Sequence, residues 1–317
     1  MNVDVIALGE LLIDFTQAGE SPMQNQLFEA CPGGAPCNVL AMLQNLGRKT
    51  GFIGKVGNDQ FGVMLRSIIQ EIGIDSTGLS LDEEVNTTLA FVHTFADGDR
   101  DFSFYRNPGA DMMLTRDEIK DSYFKHAKLF HFGTLSMTDE PSREATKKAV
   151  GLAKEHGMLV SFDPNLRPPL WKDLHAAKAM ASYGFGECDI LKISDNEVQF
   201  YTGLEDYDAG VLFLQETYGI PLIVLTLGKE GSRAYYNDLR VEAPGFSVPT
   251  IETTGAGDTF CACLIDSVLT HGLDGLDYDI LEQVLLRANA AAAIVTTKVG
   301  ALRSMPSEEE ITNLMKT

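Results

Sequence analysis

"MLVSFDPNLRPPLWKDLHAAKAMASYGFGECDILKIS" runs from Met158 to Ser194 and holds two short apolar runs, 158–163 and 189–194, on either side of a longer amphipathic stretch. The short runs are too brief and too β-branched for helices, and the stretch between them is long enough for a helical crossover. The same unit recurs outward in both directions. "VDVIAL" (3–8), "KTGFIGKVG" (49–57), "KLFHFG" (128–133) and "PLIVLTLG" (221–228) are further apolar runs separated by amphipathic segments. Such alternation predicts βαβ units, and hence an α/β fold. We expect a doubly wound, mostly parallel central sheet with helices on both faces. One domain over 1–317 accommodates it, since no repeat, linker or low-complexity tract interrupts the chain.

Two regions break the rhythm, 14–32 and 86–107. In "TTLAFVHTFADGDRDFSFYR" apolar and polar residues partly alternate around Ala96-Asp97-Gly98-Asp99, a good hairpin turn. A small β-sheet standing off the main sheet is expected there, either as a lid over a cleft or as an edge extension or dimer contact.

Composition narrows the partners. The 317 residues are 44% hydrophobic and 22% charged, as in a globular protein. Twenty-five Lys and Arg against 45 Asp and Glu leave a net charge of −20, which argues against nucleic acid or an anionic membrane surface as partner. Any phosphate must therefore be met locally, by backbone amides, a few basic side chains and a divalent ion. Five cysteines without a CxxC pair suggest neither a disulfide framework nor structural zinc, and a reducing, cytoplasmic setting fits. The first 15 residues have no basic n-region and meet Glu10 and Asp14 early, so they predict a buried strand rather than a signal peptide. No apolar run is long enough to span a membrane.

The richest chemistry lies in "IETTGAGDTFCACL" (251–264). Phe260, Leu264, Ile265, Val268 and Leu269 trace one face of a helix ending near Gly272, so Gly255-Ala256-Gly257 forms the turn that opens it. Helix N-termini carry unsatisfied N–H groups and partial positive charge, and glycine lets a ligand approach the backbone. An anion would be held well there. Asp258 could cap that helix, or it could act as a base beside the anion site. Neither "TLGKEGS" (226–232) nor "GAGDTF" has the spacing of a P-loop or a Rossmann fingerprint, which disfavours a nicotinamide enzyme.

Ligands of parallel sheets bind beyond the carboxyl ends of the strands, where several more polar groups fall. Asp14 follows the first strand, and Gly33-Gly34 leads into a helix ending at Gly47 with Asn38 in its first turn. Asn38 could bind a hydroxyl or satisfy a backbone amide. Asp163, Asn165 and Arg167 follow another strand; Arg167 could clamp a phosphate or pair with Asp163. Glu197 could face a hydrated magnesium or simply complement a helix start. Trp171 suits core or lid packing, and the six histidines lack metal-ligand spacing. "SMPSEEEITNLMK" (304–316) predicts a capped terminal helix through Ser307 and Glu310.

These pieces, in this order and over nearly the whole chain, resemble the ribokinase-like (PfkB) family of carbohydrate kinases. The matching blocks are "GGAPCN" (33–38) through Gly47, "GKVGNDQFG" (54–62) and "TTGAGDTF" (253–260). "ADGDRDFSFYRNPGADMML" (96–114), "SFDPNLRPPLW" (161–171) and "LKISDNE" (191–197) are most similar to fructokinases. The resemblance implies transfer of the ATP γ-phosphoryl group to the 6-hydroxyl of D-fructose, with ribose, an aminoimidazole riboside or 2-keto-3-deoxygluconate as alternative acceptors. A non-catalytic sugar or nucleotide sensor is the rival of another class. By resemblance Asp258 is the base, and Gly255, Ala256 and Gly257 form the anion hole. Asp14, Gly33, Gly34 and Asn38 match sugar-binding positions, and Arg106 and Arg167 match substrate or phosphate contacts. Ser194, Thr226, Gly228, Gly231 and Asn289 match nucleotide positions, Glu197 meets Mg²⁺ through water, and the lid implies a homodimer. Glu252 stands where the family usually has aspartate near Thr254, in a region that binds a potassium-like cation in some members. K⁺ as a cofactor is thereby brought into question. Cys37 replaces a common alanine beside the sugar site and would expose a thiol to oxidation.

Overall fold

The computed structural model describes residues 1–94 and 100–316. Its main sheet has nine strands. The parallel part comprises β1 (Val5–Leu8), β4 (Thr50–Gly57), β5 (Asp75–Asp82), β8 (Leu129–Gly133), β9 (Leu159–Asp163), β10 (Ile190–Ser194) and β11 (Leu222–Thr226). An antiparallel hairpin, β12 (Gly231–Tyr236) and β13 (Leu239–Pro244), finishes one edge. The spatial order is β13-β12-β11-β10-β9-β8-β1-β4-β5. All six apolar runs of the sequence are strands of this sheet. Its central strands are buried on both faces, as β1 is at every residue, because helices cover both sides.

Those helices are α1 (Ala35–Asn45), α2 (Gln60–Ile72), α3 (Ser142–Glu155), α4 (Leu174–Glu187), α5 (Asp195–Thr202), α6 (Tyr207–Tyr218), α7 (Ala256–His271), α8 (Tyr278–Val295) and α9 (Glu308–Leu314). One core gathers α1, α7 and α8, with Leu40, Leu264 and Leu285 fully or nearly fully buried. The other, beneath α3 to α6, is built on rings: Phe130, Phe132, Phe162 and Phe185 follow one another at centroid distances of 5.9, 4.8 and 5.7 Å. The expected start of α9 is present, with Ser307 Oγ accepting from the Glu310 amide and Glu310 from the Ser307 amide.

The small sheet consists of β2 (Leu12–Glu20), β3 (Gln26–Gly33), β6 (Leu89–Thr94) and β7 (Arg100–Tyr105), in the order β3-β2-β6-β7. It occupies the two irregular regions of the sequence; the expected turn at 96–99 lies outside the described residues. β1 leads into β2 through three residues, and β3 leads into α1 through Gly34 alone. From β1 the sheet continues to β4 on one side and to β8 on the other, so strand order reverses between β1 and β8. A crevice forms at such a switch point beyond the carboxyl ends of the strands. Here the small sheet stands beside it, with Leu12, Asp14 and Phe104 on the crevice wall.

Candidate active site

A cavity of about 700 Å³ fills that crevice. Glu10, Asp14, Gly34 and Asn38 line it from the link between β1 and β2, from β2 and from the start of α1, while Asn165 and Arg167 enter from the loop after β9. Lys192, Ser194 and Glu197 come from β10 and α5, and Thr253, Thr254, Gly255, Gly257 and Asp258 from the opening of α7. A second cavity of about 300 Å³ shares Thr226, Gly228, Thr253 and Gly257 with the first and runs on between β12, β13 and α8.

The opening of α7 is built as the sequence suggests. Gly255 has a φ of 80°, the left-handed region, and a Cβ there would lie 2.7 Å from the Ala301 Cβ. Only glycine fits without strain. Gly257 faces Lys192: a Cβ there would lie 2.9 Å from Lys192 Nζ. The start of the helix therefore offers both its own dipole and a nearby ammonium to an anion.

Asp258 is buried, and its Oδ2 accepts from Asn38 Nδ2 at 2.8 Å. Burial pushes its carboxyl up to about 6; the Asn38 bond opposes the rise, Asp163 adds to it, and Lys192 and Arg167 oppose it. The Asn38 side chain does not satisfy a backbone amide: its Nδ2 goes to Asp258, and its Oδ1 is buried with no protein partner. Such an acceptor at a cavity wall suits a ligand hydroxyl. Asp14 is pushed up to about 7 by burial, then by Glu252, against the pull of Arg167. Gly33 does not line the cavity but backs Asp14, with room for no Cβ: one would lie 2.5 Å from Asp14 Oδ2.

Lys192 and Glu10 are functional candidates that the sequence reading passed over. Lys192 is buried and pairs with Asp163 Oδ2 at 3.0 Å. Burial lowers its pKa, but Asp163 and Glu197 outweigh that and hold the ammonium above its ordinary value. A lysine inside an apolar strand was the available signal, because a buried lysine is almost always paired. The pairing also replaces the expected alternative of Arg167 with Asp163. Arg167 is exposed at the rim, where it donates to the Leu166 carbonyl. Glu10 accepts from the Ala35 amide at 2.8 Å and is pushed up to about 7, chiefly by burial. It anchors the turn into α1, where Gly34 (φ 130°) brings its backbone against the Glu10 carbonyl.

Arg106 is a correction. Its guanidinium is buried, is bonded to Asp111, Thr138 and the Leu135 carbonyl, and is not among the cavity's lining residues. Cys37 is a second: it is fully buried among core residues, with its thiol pushed up by burial, so no oxidisable thiol is exposed there.

The nucleotide-matched residues divide between the cavities. Ser194 opens α5 in a reciprocal cap with Glu197, and Thr226 and Gly228 stand where the two cavities meet. Ala256, Gly231 and Asn289 line only the second, whose wall is otherwise largely apolar with Phe246, Val248 and Phe260. Asn289 Nδ2 donates to the Ala243 and Pro244 carbonyls at 3.2 and 3.0 Å, which fixes the exit of β13.

Two metal expectations separate here. Glu197 accepts from the Leu166 amide, the Ser194 amide and the Ser194 hydroxyl, so it suits a hydrated Mg²⁺ through water rather than direct ligation. Glu252 accepts from the Thr254 hydroxyl through one oxygen and from the Gly300 amide through the other, at 3.1 Å for the latter. Glu252 and Thr254 thus close on each other and on residue 300, so a potassium ion there would compete with those two donors. Among the described residues no cluster of three or more His, Cys, Asp or Glu is arranged to hold a metal.

Comparison with known proteins agrees with this geometry. Fructokinase-1 of Oryza sativa subsp. japonica is 40% identical over 315 residues, covering 99% of this chain and 98% of its own. A crystal structure of a fructokinase with bound ATP from Xylella fastidiosa superimposes with a TM-score of 0.90 at 30% identity, covering 98% of each chain. A Vibrio cholerae fructokinase double mutant, bound to fructose, ADP and a potassium ion, gives 0.89 at 29% identity, again covering 98% of each. With residues 2–308 matching the pfkB family of carbohydrate kinases, the chain belongs to that family and is a sugar kinase.

Proposed function

We propose that the protein is an ATP-dependent fructokinase. The observation that carries this is Asp258, buried at the opening of α7 with Asn38 on its carboxylate and Lys192 across Gly257. In the main cavity fructose places its 6-hydroxyl against Asp258, and the base of ATP lies in the second cavity with the triphosphate running back toward Gly257. Asp258 takes the O6 proton as O6 attacks the γ-phosphorus; the O6–P bond forms, the bond to the β,γ-bridging oxygen breaks, and ADP leaves. The helix amides and Lys192 stabilise the charge on the phosphoryl oxygens. Mg²⁺, with Glu197 facing it through water, would neutralise the donor phosphates.

Three carboxyl groups, Glu10, Asp14 and Asp258, face the acceptor end, and Arg106 is engaged elsewhere. That favours a neutral polyhydroxyl acceptor over an acidic one such as 2-keto-3-deoxygluconate. The fructose and ADP bound in the Vibrio cholerae relative, and the ATP bound in the Xylella fastidiosa one, support the reading. A coupled ADP-release assay over fructose, ribose, an aminoimidazole riboside and 2-keto-3-deoxygluconate tests it. Fructose is expected to lead in kcat/KM by at least about tenfold, the size of discrimination a pocket of fixed shape provides; a non-fructose leader overturns it, and no ADP release with any acceptor would favour a sensor.

Two further results are expected. Asn38→Leu removes a donor that opposes the rise of the Asp258 carboxyl, which stands at about 6 with that bond in place. The acid limb of kcat then moves to higher pH, so activity at pH 6 falls relative to pH 8; an unmoved limb would separate Asn38 from the base. Replacing K⁺ by Na⁺ is expected to change kcat by less than about twofold, since the Glu252 carboxylate is already held by the Thr254 hydroxyl and the Gly300 amide. A strong dependence on K⁺ would mean that Glu252 releases Gly300 to admit the ion.

A further inference from the structure

We propose that Arg106 is a positioning residue for the sugar acceptor, rooting the lid on the loop after β8 and so setting the gap between Phe104 and Leu135. This rests on the kinase reading above. Arg106 follows the last residue of β7, two positions after Phe104, and its side chain is 2% exposed. Its Nε donates to Asp111 Oδ2 at 2.8 Å, with Nη2 2.7 Å from the same oxygen. Nη1 donates to Thr138 Oγ1 at 2.9 Å and Nη2 to the Leu135 carbonyl at 3.0 Å.

Asp111 extends the grip. It accepts from the hydroxyl of Thr88, the residue before β6, and the Thr88 carbonyl accepts the amide of Ile13 in β2 at 3.3 Å. One guanidinium therefore ties the roots of β2, β6 and β7 to residues 135–138 of the main body. Three of the elements so tied present side chains to the cavity: Leu12 and Asp14 from β2, Phe104 from β7, and Leu135 from the loop. All stand at the acceptor end. None lines the second cavity, where the donor's base is placed. A planar fork that reaches three partners in fixed directions cannot be copied by a lysine, although the charge can.

Arg106→Lys keeps a cation for Asp111 and loses the fork. Steady-state kinetics should show KM for fructose raised by about tenfold or more, as expected when acceptor-facing groups are misplaced by a fraction of an ångström to an ångström. KM for ATP and the acid limb of kcat should stay in place. Thr138→Val removes one contact without touching the charge, and should raise the fructose KM in the same direction by less. It also carries the test if the lysine variant fails to fold. Equal changes in both KM values, or a fall in kcat at unchanged KM as expected of an arginine on the transferring phosphoryl group, would overturn the inference. A wild-type protein that phosphorylates no sugar would instead overturn the kinase reading, and this inference with it.

Discussion

Asp258→Asn is expected to lower kcat by about 10³-fold or more, near the upper range for loss of a positioned general base. Fructose affinity should change far less, because a proton acceptor acts mainly in the transition state. The carboxamide has the shape of the carboxylate, so the cavity survives while the proton loses its destination. Asn38, which now donates to Oδ2 at 2.8 Å, would meet either an oxygen or an NH₂ group at that place. Single-turnover rates and fructose binding by calorimetry on the same protein separate the two effects. Turnover within about tenfold of the native enzyme would remove Asp258 from the role of base.

Lys192→Met carries the largest expected effect on stability. Lys192 and Asp163 are both buried and 3.0 Å apart, and removing one partner leaves the other charge uncompensated. Losses of this kind cost about 3–5 kcal/mol, whereas replacing both members by neutral groups costs much less. The denaturation midpoint should therefore fall sharply for Lys192→Met and recover in part in the Lys192→Met, Asp163→Asn double variant. A single-variant cost below about 1 kcal/mol would contradict a tightly paired site. Activity should not recover with stability, since the ammonium beside Gly257 is absent from both variants.

Much of this protein is legible along the chain. The six apolar runs are strands because their residues are buried on both faces, which leaves a continuous local signal. β5 and the hairpin β12–β13 were not anticipated. "DSTGLSLD" is a largely polar edge strand, and in "LRVEAP" only alternate residues are buried. Partly exposed strands such as β5 and β13 keep polar residues and so resemble loops. The α7 turn was legible for the opposite reason: a helix start, two glycines and an acid lie within a few residues, and their chemistry is local.

The remaining site residues depend on distance in space. Asn38 and Asp258 are 220 positions apart and share a hydrogen bond. Along the chain Glu10 is only a charge that argues against a signal peptide, yet it lies on the cavity wall. Arg106 matched a substrate contact by its place in a block, and its buried partners at 111, 135 and 138 reverse that assignment. By itself the sequence determined the alternating architecture, the small second sheet, the glycine-rich helix start and the family. The tertiary structure alone decided which charges are paired, which are raised by burial and which arginine faces the cavity. Secondary structure follows from patterns a few residues long, whereas the state of a charged side chain depends on whichever distant groups the fold packs against it.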